Sequence, residues 1–206
     1  GVELAKTDLL HSGQKVEVIY EDACLPAGAV TAIKKLVTVD KINGLAANFC
    51  VIAMPPMADT IERNKIIAFH TASASDSILN AGNFIFTTNI KVQNEARKVA
   101  EYAHNVLHAK TASVLYIDTD FGQDYNSHFT KTFERLGGKV LSSETNPPGA
   151  NEFKAELTKV KSKNPDVIFA AHLGPTLGIL LKQARLLGLN HQVLSVYEAE
   201  DPSVLE

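Results

Sequence analysis

The sequence predicts an α/β fold in which parallel sheets are flanked by helices. Three observations carry that expectation. Short apolar runs rich in β-branched residues alternate with amphipathic stretches along all 206 residues. The alternation is unbroken by any short internal repeat or low-complexity linker. Strands separated by whole helices return in the same direction, which gives parallel sheets with right-handed crossovers and helices on both faces.

Each element has its own reason. Val2, Leu4, Ala5, Leu9 and Leu10 suit one face of a helix. The stretch begins in mid-pattern with no start Met, as expected of a processed or trimmed chain. "KVEVIYED", residues 15–22, alternates apolar and polar and reads as a strand. Pro26 stands where helices open, and Ala29, Val30, Ile33, Leu36 and Val37 follow at helical spacing. "INGLAANF" (42–49) reads as a strand, and "PPMADTIERN" (55–64) as a helix opened by proline. "KIIAFHT" (65–71) and "NFIFTTN" (83–89) are further strands.

A long helix is expected over 91–108, with Val92, Ala96, Val99, Ala103, Val106 and Leu107 on one face. The theme then repeats. "ASVLYID" (112–118) is a strand, and the helix over 124–137 is closed by Gly137. Strands follow at 139–145, 165–173 and 192–199, with helices after "NPPGAN" and over 175–189. The pattern divides near the end of the long helix, into 1–107 and 108–206.

Composition narrows the function. With 45% hydrophobic residues and a net charge of −3, the balance is that of a globular domain. No Lys/Arg cluster offers a phosphate-neutralising surface, so no nucleic-acid partner is expected. No apolar run approaches the roughly 20 residues of a membrane helix. The G-x-G-x-x-G, G-x-x-x-x-G-K-[ST] and G-x-S-x-G signatures are absent, and Ser12 to Lys15 matches S-x-x-K without its companion motifs. No cofactor is implied.

In parallel α/β sheets, ligands sit beyond the carboxyl ends of the strands. The loops that matter are therefore 20–26, 48–56, 70–78, 118–125, 172–176 and 196–202. His70 and His172 each follow a strand, either as cleft residues or as buried neutral histidines. Asp118 and Asp120 end a strand, one suited to cap the next helix and one to a cleft edge. His104 and His108 are four apart, but the Glu of a metalloprotease helix is missing between them, so they read as a solvated face and no metal is expected. "HTASASDSI" holds Thr71, Ser73, Ser75 and Ser77, whose hydroxyls and backbone N–H groups suit either a carboxylate cradle or an ordinary serine-rich loop. The two cysteines, Cys24 and Cys50, are either a disulfide or two small apolar residues.

Four stretches in order carry a family resemblance: "YEDACLPAGAVTAIKKLV", "IIAFHTASASDSI" followed by "FIFTTN", "ASVLYIDTDFGQDYNSHFTKTFERLGGKV" and "FKAELTKVKSKNPDVIFAAHLGPTLGILLKQARLLGL". Together they resemble the Leu/Ile/Val-binding proteins, type I periplasmic substrate-binding proteins of ABC transporters. The resemblance covers almost the whole chain. It implies a two-lobed fold in which each lobe is a parallel α/β sandwich and ligand binds between lobes that close about a hinge. Both lobes are incomplete on this reading. Residues 1–107 form an N-terminal lobe lacking its first strand, which should leave a gap or exposed edge in its sheet. Residues 108–206 form a truncated C-terminal lobe.

The resemblance also implies roles. Cys24 in "DACLP" and Cys50 in "NFC" match the family's disulfide positions, and the bond would place the protein in the periplasm or outside a membrane to which it is anchored. Ala72, Ser73 and Ser75 match the carboxylate-binding loop. A further hydroxyl expected after the strand ending near Cys50 is replaced by Val51, Ile52 and Ala53. Phe121, before Gly122, matches the aromatic that packs on ligand, and Leu173 or His172 a second contact. Glu198, with Tyr197 if the alignment slips by one, matches the acid that pairs with a ligand ammonium. The implied function is non-catalytic delivery of a small molecule, an amino acid first, with aromatic acids, amides and other small carboxylates as alternatives, to the membrane permease of an ABC importer. A ligand-sensing module of a receptor or regulator shares the same features, and an enzyme using Asp118, Asp120 or His172 lacks a nucleophile–base pair.

Overall fold

A computed structural model describes residues 2–48, 51–71 and 74–204. The chain packs as two units, Gly1–Asn89 and Ile90–Glu206. The first contains α1 (Val2–His11), α2 (Pro26–Thr38), β1 (Gly44–Asn48), α3 (Met54–Asn64), β2 (Ile67–His70), α4 (Asp76–Leu79) and β3 (Ile85–Thr87). The second contains α5 (Val92–Asn105), β4 (Thr111–Ile117), α6 (Asp120–Arg135), β5 (Lys139–Asn146), α7 (Lys154–Lys163), β6 (Val167–Ala171), α8 (Gly174–Leu186) and β7 (Gln192–Ser195), followed by short 3-10 turns at Tyr197–Glu200 and Pro202–Val204.

The first unit holds a three-stranded parallel sheet in the order β1-β2-β3, with Leu45 level with Ala68 and Ala68 level with Ile85. Ile33, Met54, Met57 and Ile61 of the helices cover Ala68 and Ile85 on one face. Successive strand residues point to opposite faces. Ile67, Phe69 and Phe86 consequently lie on the other face, each at least 43% exposed.

The second unit holds four parallel strands in the order β5-β4-β6-β7. Here both faces are covered. Val114 and Phe169 join Ala96, Ala100, Phe129 and Phe133 of α5 and α6 in one core. Leu115, Ile168 and Ala170 join Leu157, Val160, Leu177 and Leu180 of α7 and α8 in another. Phe129 stacks on Phe169 with ring centroids 4.4 Å apart. Asp166 fastens one end of the sheet, accepting hydrogen bonds from the Lys110 and Thr111 N–H groups, both at 2.8 Å.

Three expectations need correction. The division falls at 89/90 rather than 107/108, because the buried face of α5 packs onto α6 and β4. Residues 15–22 form no strand, because β1 pairs with β2 alone and the alternating stretch has no ladder to join. The last strand stops at Ser195, because the Tyr197 N–H donates to a Glu95 carboxylate oxygen at 2.7 Å and the chain turns.

Candidate functional site

In the second unit the candidates Phe121, Leu173, Tyr197 and Glu198 all stand just past the carboxyl ends of strands in one sheet. Phe121 opens α6 after β4. The helix starts there because the Thr119 hydroxyl accepts from the Gly122 N–H, so the cap is Thr119 and neither Asp118 nor Asp120. Asp118 instead accepts from the Gln123 side chain at 3.0 Å, and Asp120 lies in the first turn. Gly122 is required by space: a Cβ there would come within 2.0 Å of the Ile117 carbonyl oxygen. Phe121 is buried and lies edge-on to Tyr125, centroids 4.8 Å apart.

Leu173 is 43% exposed and precedes α8, where Pro175 sits in the first turn. The Gly174 N–H at the head of that helix donates to Glu198 Oε2 at 3.2 Å. An acceptor at a helix N-terminus satisfies a group with no partner inside the helix and meets the positive end of its dipole. The turn carrying Glu198 also presses close, since a Cβ on Gly174 would come within 2.6 Å of Asp201 Cβ.

Two residues that the sequence reading did not single out bind this arrangement together. Glu95, near the start of α5, accepts from the Tyr125 hydroxyl with one oxygen and from the Tyr197 N–H with the other. The carboxylate therefore joins α5, α6 and the turn after β7, and through Tyr125 it reaches Phe121. A Glu in the first turn of a long helix carries no sequence signal for this, because its partners lie 30 and 102 residues away. Burial first, and the Glu95 carboxylate second, push the Tyr125 hydroxyl well above its ordinary value, so it stays a neutral donor.

His172, at the end of β6, is fully buried, edge-on to Phe153 at 5.6 Å. Neither ring nitrogen has a hydrogen-bond partner among the described residues. Burial pushes its pKa down to about 4, so the ring is neutral at physiological pH.

In the first unit, His70 ends β2 in the same manner, fully buried, its nitrogens unpartnered and its pKa lowered by burial. Ser75 is buried at the head of α4, its hydroxyl 3.0 Å from that of Ser77. Ala72 and Ser73 lie outside the described residues. So does Cys50; Cys24 is exposed, and no free thiol occurs among the described residues. The residues replacing the expected hydroxyl open a turn, Val51–Ala53, in which Ala53 is buried and Ile52 exposed. Among the described residues no group of three or more His, Cys, Asp or Glu could hold a metal, and no helix is long and apolar enough to cross a membrane. His104 pairs with the Asn105 side chain, while His108 has left the helix with φ 56°.

The periplasmic binding protein family matches the chain over residues 1–206. An amino acid binding protein of Pseudomonas aeruginosa is 26% identical over 186 residues, covering 89% of this chain and 50% of the relative. The Leu/Ile/Val-binding protein of Escherichia coli K12 is 22% identical over 200 residues, covering 94% and 54%. The chain thus spans about half the length of the curated relatives it matches. Among solved structures, a leucine-binding protein from Thermotoga maritima superposes with a TM-score of 0.87 at 22% identity, over 99% of this chain and 59% of that one. An ABC transporter solute-binding protein from R. palustris, in complex with 4-hydroxybenzoate, gives 0.81 at 20% identity, over 92% and 53%. All of these are named as binding proteins and none as an enzyme. By the match along its full length, this chain belongs to the periplasmic binding protein family.

Proposed function

We propose that the chain is the ligand-binding part of an extracytoplasmic solute-binding protein that hands an amino acid to the permease of an ABC importer. Ala72, Ser73 and Ser75 are assigned to the ligand carboxylate, Phe121, Leu173 and Tyr197 to its apolar part, and Glu198 to its ammonium. One observation carries the amino-acid reading. Glu198 is held at the head of α8 while a second carboxylate, Glu95, holds the backbone of the adjacent residue Tyr197. Two carboxylates at one strand end attract a cationic group and repel a lone anion. The matched relatives named for amino acids support the same class.

Titration calorimetry tests it. L-leucine is expected to bind saturably, and Glu198→Gln to weaken it at least tenfold with little change in melting temperature, about 1.4 kcal/mol of binding free energy. Binding of 4-hydroxybenzoate in place of L-leucine, or an unaffected Glu198→Gln, would overturn the reading. An aromatic acid is the second reading, favoured by the apolar Val51, Ile52 and Ala53 where a hydroxyl was expected and by the neighbour solved with 4-hydroxybenzoate. The extracytoplasmic assignment rests on a Cys24–Cys50 disulfide. Mass spectrometry after alkylation without reductant should find no modified cysteine, and two alkylated thiols would contradict it.

A further inference from the structure

The turn after β7 and helix α8 both open on an apolar residue, and each is capped by a carboxylate from elsewhere in the chain. Val196, at the cap position of the turn, has no side-chain acceptor to offer. Glu95 supplies one from α5, taking the Tyr197 N–H at 2.7 Å from 102 residues away. Leu173 likewise cannot cap α8, and Glu198 accepts from the Gly174 N–H at 3.2 Å. The first N–H groups of a helix have no partner inside it, so an apolar cap residue leaves them to whatever acceptor the fold brings near. The two acceptors stand in series, because the backbone that Glu95 holds belongs to the residue next to Glu198. Glu95 is itself fixed. Its second oxygen accepts from the Tyr125 hydroxyl. Tyr125 is fully buried, with its ring 4.8 Å from that of Phe121 and 6.3 Å from that of Phe169, so close packing keeps the hydroxyl in place. The cations that follow on α5, Arg97 and Lys98, are turned to Glu101. Both Glu95 oxygens are thus committed to neutral donors in fixed directions. Such a carboxylate supplies orientation.

We infer that Glu95 is a positioning residue for Glu198: by fixing the backbone at Tyr197 it sets where the Glu198 carboxylate stands. The inference rests on the reading that Glu198 meets the ligand ammonium. Oε2 of Glu198 is taken by the Gly174 N–H, which leaves Oε1 to the ammonium. A charge-assisted hydrogen bond is short, roughly 2.7–2.9 Å, so a displacement of about 1 Å at that oxygen forfeits much of it. Glu95 touches no ligand in this arrangement. Its loss is felt through the group that Glu198 holds, so Glu95 sets the preference of the site for a ligand that carries an ammonium.

Variants of the 206-residue chain test it, with L-leucine titrated by calorimetry and amide exchange measured on the free chain. Glu95→Ala should weaken leucine at least tenfold. In a chain that already carries Glu198→Gln, the same change should cost less than threefold, since the carboxylate it positions is gone. Glu95→Gln should recover at least threefold over Glu95→Ala, because the amide oxygen still accepts from the Tyr197 N–H and the amide nitrogen donates to the Tyr125 hydroxyl. Tyr125→Phe keeps the ring and removes one anchor of Glu95. It should weaken leucine about threefold, and it gives the reading should Glu95→Ala fail to fold. Without ligand, the Gly174 amide should exchange at least tenfold faster in Glu95→Ala, and faster in Tyr125→Phe, relative to the Leu115 amide in the sheet. An equal cost of Glu95→Ala in the two backgrounds would make Glu95 a scaffold residue only and overturn the proposal. Equal losses for Glu95→Gln and Glu95→Ala would assign it a charge role and overturn it likewise. If the unaltered chain does not bind leucine, the amino-acid reading fails by itself and the Gly174 amide decides the positioning. Unchanged exchange there overturns it, and faster exchange upholds it.

Discussion

The two units use the same sequence pattern and reach different degrees of completion. β6 has every residue buried, with Phe169 facing α6 on one side and Ile168 facing α7 and α8 on the other. β2 buries Ala68 and His70 but leaves Ile67 and Phe69 half in water. Both strands are short and apolar, and neither sequence says which will be covered twice. The difference lies in what surrounds them: four strands between two pairs of helices against three strands with one covered face. A strand-like sequence becomes a strand only when a neighbour supplies its hydrogen bonds, and an apolar face becomes core only when an element reaches it.

The largest expected effect contrasts two phenylalanines. Phe169→Ala, which removes a ring stacked on Phe129, should cost about 3–5 kcal/mol in a urea-unfolding series. Phe69→Ala, 43% exposed, should cost under ~1 kcal/mol and reduce aggregation. Similar costs for the two would abolish the distinction. Next is Gly122→Ala, where the new Cβ meets the Ile117 carbonyl oxygen at 2.0 Å; a loss of about 3 kcal/mol is expected by the same assay.

Acid should weaken the second unit through His172. Its folded pKa is about 4, below the unfolded value of about 6.5, so the unfolded chain binds more protons between them. That stability is complete above about pH 6.5 and is lost as the pH falls towards 4, by about 3 kcal/mol. His172→Leu should flatten this part of the pH dependence. His70 adds a slope of the same sign in the first unit, because burial lowers its pKa too. Asp166→Asn, which disturbs the bonds from Lys110 and Thr111 at an exposed position, should cost about 1 kcal/mol.

Local signals were legible. Pro26 opens α2, and Gly137 follows α6 at φ 97°. Long-range ones were not. That α5 belongs with the second unit depends on Ala96 and Ala100 meeting α6, and small residues on a helix do not name their partner. The placing of Phe121, Leu173, Tyr197 and Glu198 at strand ends followed from the alternation, since the residue after a strand in a parallel sheet lies at one edge of it. Glu95 and Tyr125 were invisible, because a carboxylate bridging three elements leaves no spacing to read.

Native-state hydrogen exchange on the 206-residue chain tests the contrast most directly. Amides of Val114, Leu115 and Phe169 should exchange only on global unfolding of their unit, while Leu45, Ala46 and residues 16–20 should exchange orders of magnitude faster through local opening. Protection factors of the same order in the two groups would contradict the account, since they would show that the edge of β1 and the stretch beside it are already paired.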